Sequence, residues 1–367
     1  MGAIFRIQSI VMDENSAVWT VKIILTSEED EELKTLTESL RKDINSTHPI
    51  LSLSTLMLVM AKYDQAENCY RLLLQDSDIS KSFDLVNSIY CNIASIYKDI
   101  GRQVEATNWL ETLVNLVLQH SPFNPDLFIH AYNSLAESYA AQGAYEKALA
   151  CYRNVLDTKL NQPNPDQEDI AGLYNNIGNV YEAQHRYSCA IDSYKEALRI
   201  RLIIYPSNHP NVAVMYSNIS AVYRGQGDYN RALEYLNKTL DIQTHSITSN
   251  HPDLATTYNN LSAVFSEKGD FENALYMSQK SIDIYQSLLT RHPDIANSYN
   301  NIGGIYRLRG EHNKAIEYFR KALEIQRISL APNHPLFAGT YNNLGTAYIG
   351  QQKTRRCTRN VRKVARC

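Results

Sequence analysis

The chain of 367 residues is 44% hydrophobic and 20% charged, the balance of a globular protein rather than of a disordered or fibrous one. Its net charge of −3 hides an asymmetry: residues 353–367 hold seven Lys/Arg and no acid, leaving 29 basic against 39 acidic groups in residues 1–352. A body that acidic argues against a nucleic-acid partner, and the longest apolar stretch, Leu51–Met60, has only about half the length of a bilayer span, which argues against a membrane one.

At the N-terminus no basic region precedes a long apolar core, so a secretory leader is not expected. The six cysteines (69, 91, 151, 189, 357 and 367) are scattered without a CxxC pair and read as reduced thiols, which makes the cytoplasm the expected compartment. Residues 1–46 form the first predicted unit. Ile4, Phe5, Ile7 and Ile10 alternate partly with polar residues, Val18-Trp19-Thr20-Val21-Lys22-Ile23 alternates again, and Asp13–Ser16 supplies a turn, so a β-hairpin is expected. Ser27 then caps an acidic first turn, Glu28–Glu32, of a helix running through Arg41. Two strands are too few for a domain of their own, so this piece reads as a remnant of a larger upstream domain or as packing on the first helices after residue 46.

From residue 47 to 350 one period governs. Tyrosines fall at 90, 132, 174, 216, 258, 299 and 341, a step of 42 residues with one copy of 41. In the clearest copy Tyr174-Asn175-Asn176-Ile177-Gly178 and Tyr181 share one helix, while Tyr187, Ala190, Tyr194 and Ala197 share a second. Between the two sits a turn that carries Gly101, Gly143, Gly227, Gly269 or Gly310 in other copies and His185 in this one. Each period is therefore a helical hairpin. Seven are expected, at about 47–80, 87–120, 129–162, 171–204, 213–246, 255–288 and 296–329, with an eighth first helix at 338–350. All eleven prolines are expected to fall outside the helices of these hairpins. A small residue on each first helix (Ala94, Ala136, Gly178, Ser220, Ser262, Gly303, Gly345) is expected to let the two helix backbones approach.

These residues resemble the tetratricopeptide repeat, and the 42-residue step with His-Pro before the first helix and Tyr-Asn-Asn inside it resembles the repeats of kinesin light chains. The resemblance covers about residues 87–350 and implies an all-α, right-handed α-solenoid whose first helices line a concave groove. It also implies a non-enzymatic scaffold that holds an extended peptide segment of a partner protein, with no cofactor. The groove positions after the Tyr are then Asn92, Asn133, Asn175, Asn176, Asn218, Asn259, Asn260, Asn300, Asn301, Asn342 and Asn343. An amide donates and accepts, so the second amide of each pair (Asn176, Asn218, Asn260, Asn301, Asn343) suits a peptide backbone, with bracing between repeats as the alternative use. Arg224 and Arg307, further along the same helices, suit an acidic group of a ligand or, more simply, a solvated rim.

The histidines of Asn208-His209-Pro210, Asn250-His251-Pro252, Arg291-His292-Pro293 and Asn333-His334-Pro335 lie a whole hairpin apart, too far to share a metal, and read as helix caps. No nucleophile–base pair and no phosphate-binding glycine loop stands out. Gly2-Ala3-Ile4-Phe5-Arg6-Ile7 with Val18-Trp19-Thr20-Val21 resembles the last strands of arginine-specific ADP-ribosyltransferases. The alternative that resemblance implies is the repeat region of a truncated NAD-dependent transferase, whose catalytic Glu-x-Glu is not present. Residues 351–367 break the period with a basic run that has no apolar face and read as a disordered tail or as the product of a change of coding frame.

Overall fold

The described residues of the computed structural model are 5–13, 18–25 and 51–364 with short breaks, the longest at 289–293 and 331–335. Backbone pairing joins β1 (Phe5–Asp13) and β2 (Val18–Leu25) antiparallel, with an irregularity between Ile7 and Ser9. The expected acidic helix at 27–41 lies outside the described residues.

The described residues divide into two compact units, Met1–Lys159 and Leu160–Cys367, where the periodicity pointed to one array. Pro163 and Pro165 stand in the connection just past the boundary. The first unit holds α1 (Tyr63–Leu73), α2 (Phe83–Asp99), α3 (Gln103–His120), α4 (Pro125–Ala141) and α5 (Tyr145–Leu160). The second unit holds α6 (Gln167–Ala183), α7 (Tyr187–Ile204), α8 (Pro210–Gly225), α9 (Tyr229–Ser246), α10 (Pro252–Lys268), α11 (Phe271–Leu288), α12 (Ile295–Leu308), α13 (His312–Ser329) and α14 (Leu336–Val364). Here α6, α8, α10 and α12 are first helices, each packed on the second helix next in the chain, and α14 is an unpaired first helix.

Local chemistry sets the helix ends. Pro125, Pro210 and Pro252 are the first residues of α4, α8 and α10 rather than lying outside the helices, because a proline at the first position gives up no hydrogen bond. That is why those helices begin three or four residues before the expected bounds. His209 Nδ1 accepts from Asn211 N at 3.1 Å and His251 Nδ1 from Asp253 N at 3.2 Å, so these histidines do cap. The turns close through left-handed glycines, φ 75–87°, and His185 adopts the same hand at φ 57°.

The core is built by the second-helix alanines. Ala106, Ala148, Ala190, Ala232, Ala274 and Ala315 are all fully buried. The small first-helix residue turns out to admit a ring more than a backbone: a Cβ added to Gly178 would lie 2.6 Å from the Tyr194 ring, and one on Gly303 2.6 Å from the Phe319 ring. Where the second helix carries Ser278, Ser262 meets it through a buried hydroxyl pair at 2.6 Å.

The tail departs from expectation. Instead of a disordered segment from 351, α14 continues as helix through Val364. Lys, Arg and Gln are good helix formers, and residues 351–364 contain neither Gly nor Pro to stop the turn. Among the described residues no helix is long and apolar enough to cross a membrane.

Candidate functional site

The amides after the repeated tyrosine come together on the first helices of the second unit. Asn218 of α8 donates from Nδ2 to Asn175 Oδ1 of α6 at 2.7 Å. Asn301 of α12 reaches the Asn259 carbonyl of α10 at 3.5 Å, and Asn300 of α12 donates to Thr340 Oγ1 of α14 at 2.9 Å. An ion pair, Arg224–Glu267 at 3.7 Å, spans the remaining step from α8 to α10. The first unit repeats the geometry with other chemistry, since Ser134 and Cys91 occupy the same two positions and meet at 3.6 Å. At three steps (Ser134–Cys91, Asn218–Asn175 and Asn301–Asn259) the second residue of one repeat reaches back to the first residue of the repeat before, while Asn300 reaches forward.

The candidate residues therefore divide by what they already hold. Asn218 and Asn301 each spend a donor on bracing neighbouring first helices. Asn176 accepts a long bond from Asn175 at 3.5 Å and keeps its Nδ2 undonated among the described residues. Asn260 and Asn343 are half-buried, and their side chains make no hydrogen bond among the described residues. Arg224 is engaged by Glu267, whereas Arg307 has a buried Nε that donates to nothing described. Two first-position acceptors, Asn259 Oδ1 and Asn300 Oδ1, are buried and unpaired as well. An unmet buried acceptor costs about 1–3 kcal/mol, so it rewards any donor brought to it.

Two features of this surface were not expected from the sequence. Arg201, at the end of α7, pairs with Glu168 at the start of α6 at 2.9 Å and donates to the Asn211 carbonyl of α8 at 3.2 Å. Asn211 Nδ2 adds a 3.4 Å bond to Glu168, so three helix ends are tied at one point. The only trace in sequence is a separation of 43 residues between Glu168 and Asn211, close to one period. The second feature is a lysine laid over tyrosines once per hairpin: Lys238 on Tyr216 and Tyr235, Lys280 on Tyr258 and Tyr276, Lys321 on Tyr318. Their 42- and 41-residue spacing is a signal in the sequence that could have found them. Lys280 also borders a cleft of about 430 Å³ lined by Thr244, Leu254, Tyr258 and Asp283. The hydrogen bond to Tyr276 and the facing tyrosine raise the Lys280 pKa, holding it charged.

Burial foremost, with the Glu111 carboxylate, pushes the Cys151 thiol up to about 11, against the thiolate form. Burial foremost, with the Glu182 charge, also raises Tyr194, whose hydroxyl donates to Asn179 Oδ1 at 2.6 Å and Glu182 Oε2 at 2.9 Å.

Comparison with known proteins bears on the family and the fold. The tetratricopeptide repeat profile matches residues 127–202, 211–287 and 294–356, more than half of the chain. BtubC (BKLC) from P. vanneervenii is 22% identical over 64% of this chain and 94% of its own, with a TM-score of 0.51. A tetratricopeptide repeat protein from Parabacteroides merdae is 15% identical over 85% of this chain and 99% of its own, at 0.54. The kinesin-light-chain-like repeats of Podosopora anserina are 18% identical over 54% of this chain and 94% of their own, at 0.47. At such identities the likeness is one of fold. No curated protein sequence matches the chain, and the profile match does not extend to Gly2–Val21, where the transferase resemblance lay.

Proposed function

From a chain that belongs to the tetratricopeptide repeat family, we infer a protein-interaction scaffold that holds an extended peptide segment of a partner along the first helices of its second unit. The observation that carries this reading is the row of amides. Consecutive first helices present Asn at one register position, and Asn176, Asn260 and Asn343 have donors left over after the bracing bonds are made. Helices pack about 8–10 Å apart and an extended strand rises about 3.3 Å per residue, so one repeat step spans roughly three ligand residues. An Asn can donate to a peptide carbonyl or accept from its N–H, which gives a grip on backbone shape with little demand on side chains. Arg307 adds a charge for an acidic ligand residue at the α12 end of the row.

The test separates gripping from bracing. A peptide-array screen on the full chain yields a binder, which is then titrated against Asn260→Ala and Asn218→Ala. Each lost hydrogen bond is worth about 0.5–1.5 kcal/mol, or roughly 2–12-fold in affinity. Asn260→Ala should weaken the peptide by that factor with an unchanged melting midpoint. Asn218→Ala should lower the midpoint too, since it also removes the bond to Asn175. Equal affinities for the parent and Asn260→Ala would mean that the amides serve the stack alone.

A further inference from the structure

The last first helix is packed on one side only. Leu344, Ala347 and Tyr348 of α14 lie against Ala315, Ile316 and Phe319 of α13, while Thr340 takes the bond from Asn300 of α12. The stripe at 341, 345 and 349, one helical turn per step, is uncovered: Tyr341 is 48% and Ile349 56% exposed. In the preceding hairpin the matching stripe is covered by its own second helix, with Tyr318 against Tyr299 and the Phe319 ring seated on Gly303. Gly178 receives Tyr194 in the same manner, yet a Cβ added to Gly345 would meet nothing within 4 Å. After Gly350 the helix runs straight on through Val364, so no described residue turns back onto the stripe.

We propose that Tyr341, Gly345 and Ile349 form a docking socket for an amphipathic helix of another polypeptide, one with an aromatic residue four places after an alanine and an acidic residue at its start. The two filled sockets define that occupant, because Ala190 precedes Tyr194 and Ala315 precedes Phe319 by four residues. Charge defines its start. A helix laid antiparallel to α14 begins beside Gly350, where the chain leads into a sequence with seven Lys/Arg and no acid at residues 353–367. An acidic residue there answers both that positive run and the positive end of the incoming helix. Three of the chain's own second helices begin in this way, after Asp228, Asp270 and Glu311, the last of them the helix that seats Phe319. The docked helix continues the stack of α12 and α13, so the contact extends packing already present.

The probe is a fluorescein-labelled synthetic peptide of residues 311–329, titrated by anisotropy against the full chain. Saturable binding is expected. Peptide Phe319→Ala and chain Gly345→Leu should each lose affinity by about tenfold or more, as for a central aromatic anchor. Gly345→Ala, whose methyl would meet the docked ring as one at Gly303 would meet Phe319, should weaken it by a smaller factor than Gly345→Leu. Gly345→Leu points into open space, so its circular dichroism melt should match the parent and keep the comparison valid. Absence of saturable binding, or binding indifferent to Gly345→Leu because the peptide has displaced α13, overturns the proposal. Sedimentation completes the test: parent self-association abolished by Gly345→Leu would place a second copy in the socket and overturn the foreign-helix assignment.

Discussion

Gly178→Ala and Gly345→Ala make the same change at the same repeat position and should act in opposite directions. At Gly178 the new methyl would lie 2.6, 2.7 and 3.0 Å from three Tyr194 ring carbons. Ordinary carbon contacts begin near 3.5 Å, so the ring must retreat by about 1 Å. Tyr194 is fully buried and anchored by two hydroxyl bonds, so it has nowhere to go. Overpacking of this kind costs about 1–3 kcal/mol, while Ala in place of Gly within a helix returns about 0.8–1 kcal/mol. Gly178→Ala should thus be destabilising by up to about 2 kcal/mol, and Gly345→Ala stabilising by about 0.8–1 kcal/mol, since only the helix term applies there. Urea titrations followed by circular dichroism measure both. The pair Gly178→Ala with Tyr194→Leu copies Ala94 and Leu110 of an earlier hairpin and should be less destabilised than the sum of its single changes. If Gly178→Ala stabilised the chain as much as Gly345→Ala, the ring-in-notch account of the hairpin would be wrong.

His185→Gly should raise stability by about 0.5–1 kcal/mol, because a left-handed non-glycine costs about 1–2 and glycine gives back part as backbone entropy; thermal melts decide it. Glu168→Gln should cost about 1–3 kcal/mol by leaving Arg201, 12% exposed, without its partner, whereas Glu196→Gln, at a surface pair, should change the same urea midpoint by under about 0.5 kcal/mol. Tyr139, Tyr152 and Tyr194 are raised above the ordinary 10.0, so above about pH 10 the unfolded chain releases protons that the folded one retains. Stability should be level below that pH and fall as it rises further; a midpoint unchanged between pH 9 and 11.5 in pH-jump melts would contradict the burial of these phenols.

The hairpins were legible because each rests on residues close in sequence: the Tyr-to-Tyr step, the turn glycine and the alanine pair. The His-Pro pair was legible for the same reason, since a polar residue before a first-turn proline is a local cap, and His209 does cap Asn211 N. Only the bounds set from the Tyr period began three or four residues late. Contacts between repeats were harder to read. Nothing within Tyr216-Ser217-Asn218 says whether the amide faces a ligand or Asn175, 43 residues earlier, since both uses want the same half-buried donor. The division near Leu160 and the helical course of residues 351–364 leave no mark on the period, which is a property of each repeat taken alone.

A chain of look-alike hairpins faces an ambiguity while it folds, because any second helix has several first helices it could join. The notch and its filler remove part of that ambiguity. The fillers run Tyr194, Leu236, Ser278 and Phe319 along the second unit, opposite Gly178, Ser220, Ser262 and Gly303. Tyr194 pressed onto Ser262 would drive a ring into a side chain, and Ser278 laid on Gly303 would leave a void where Phe319 belongs. Each wrong marriage is penalised by sterics or by an empty space, which repeat arrays need if they are to avoid misassembly between copies. The variation inside the repeat is thus an address written in side-chain volume, telling each helix which neighbour is its own.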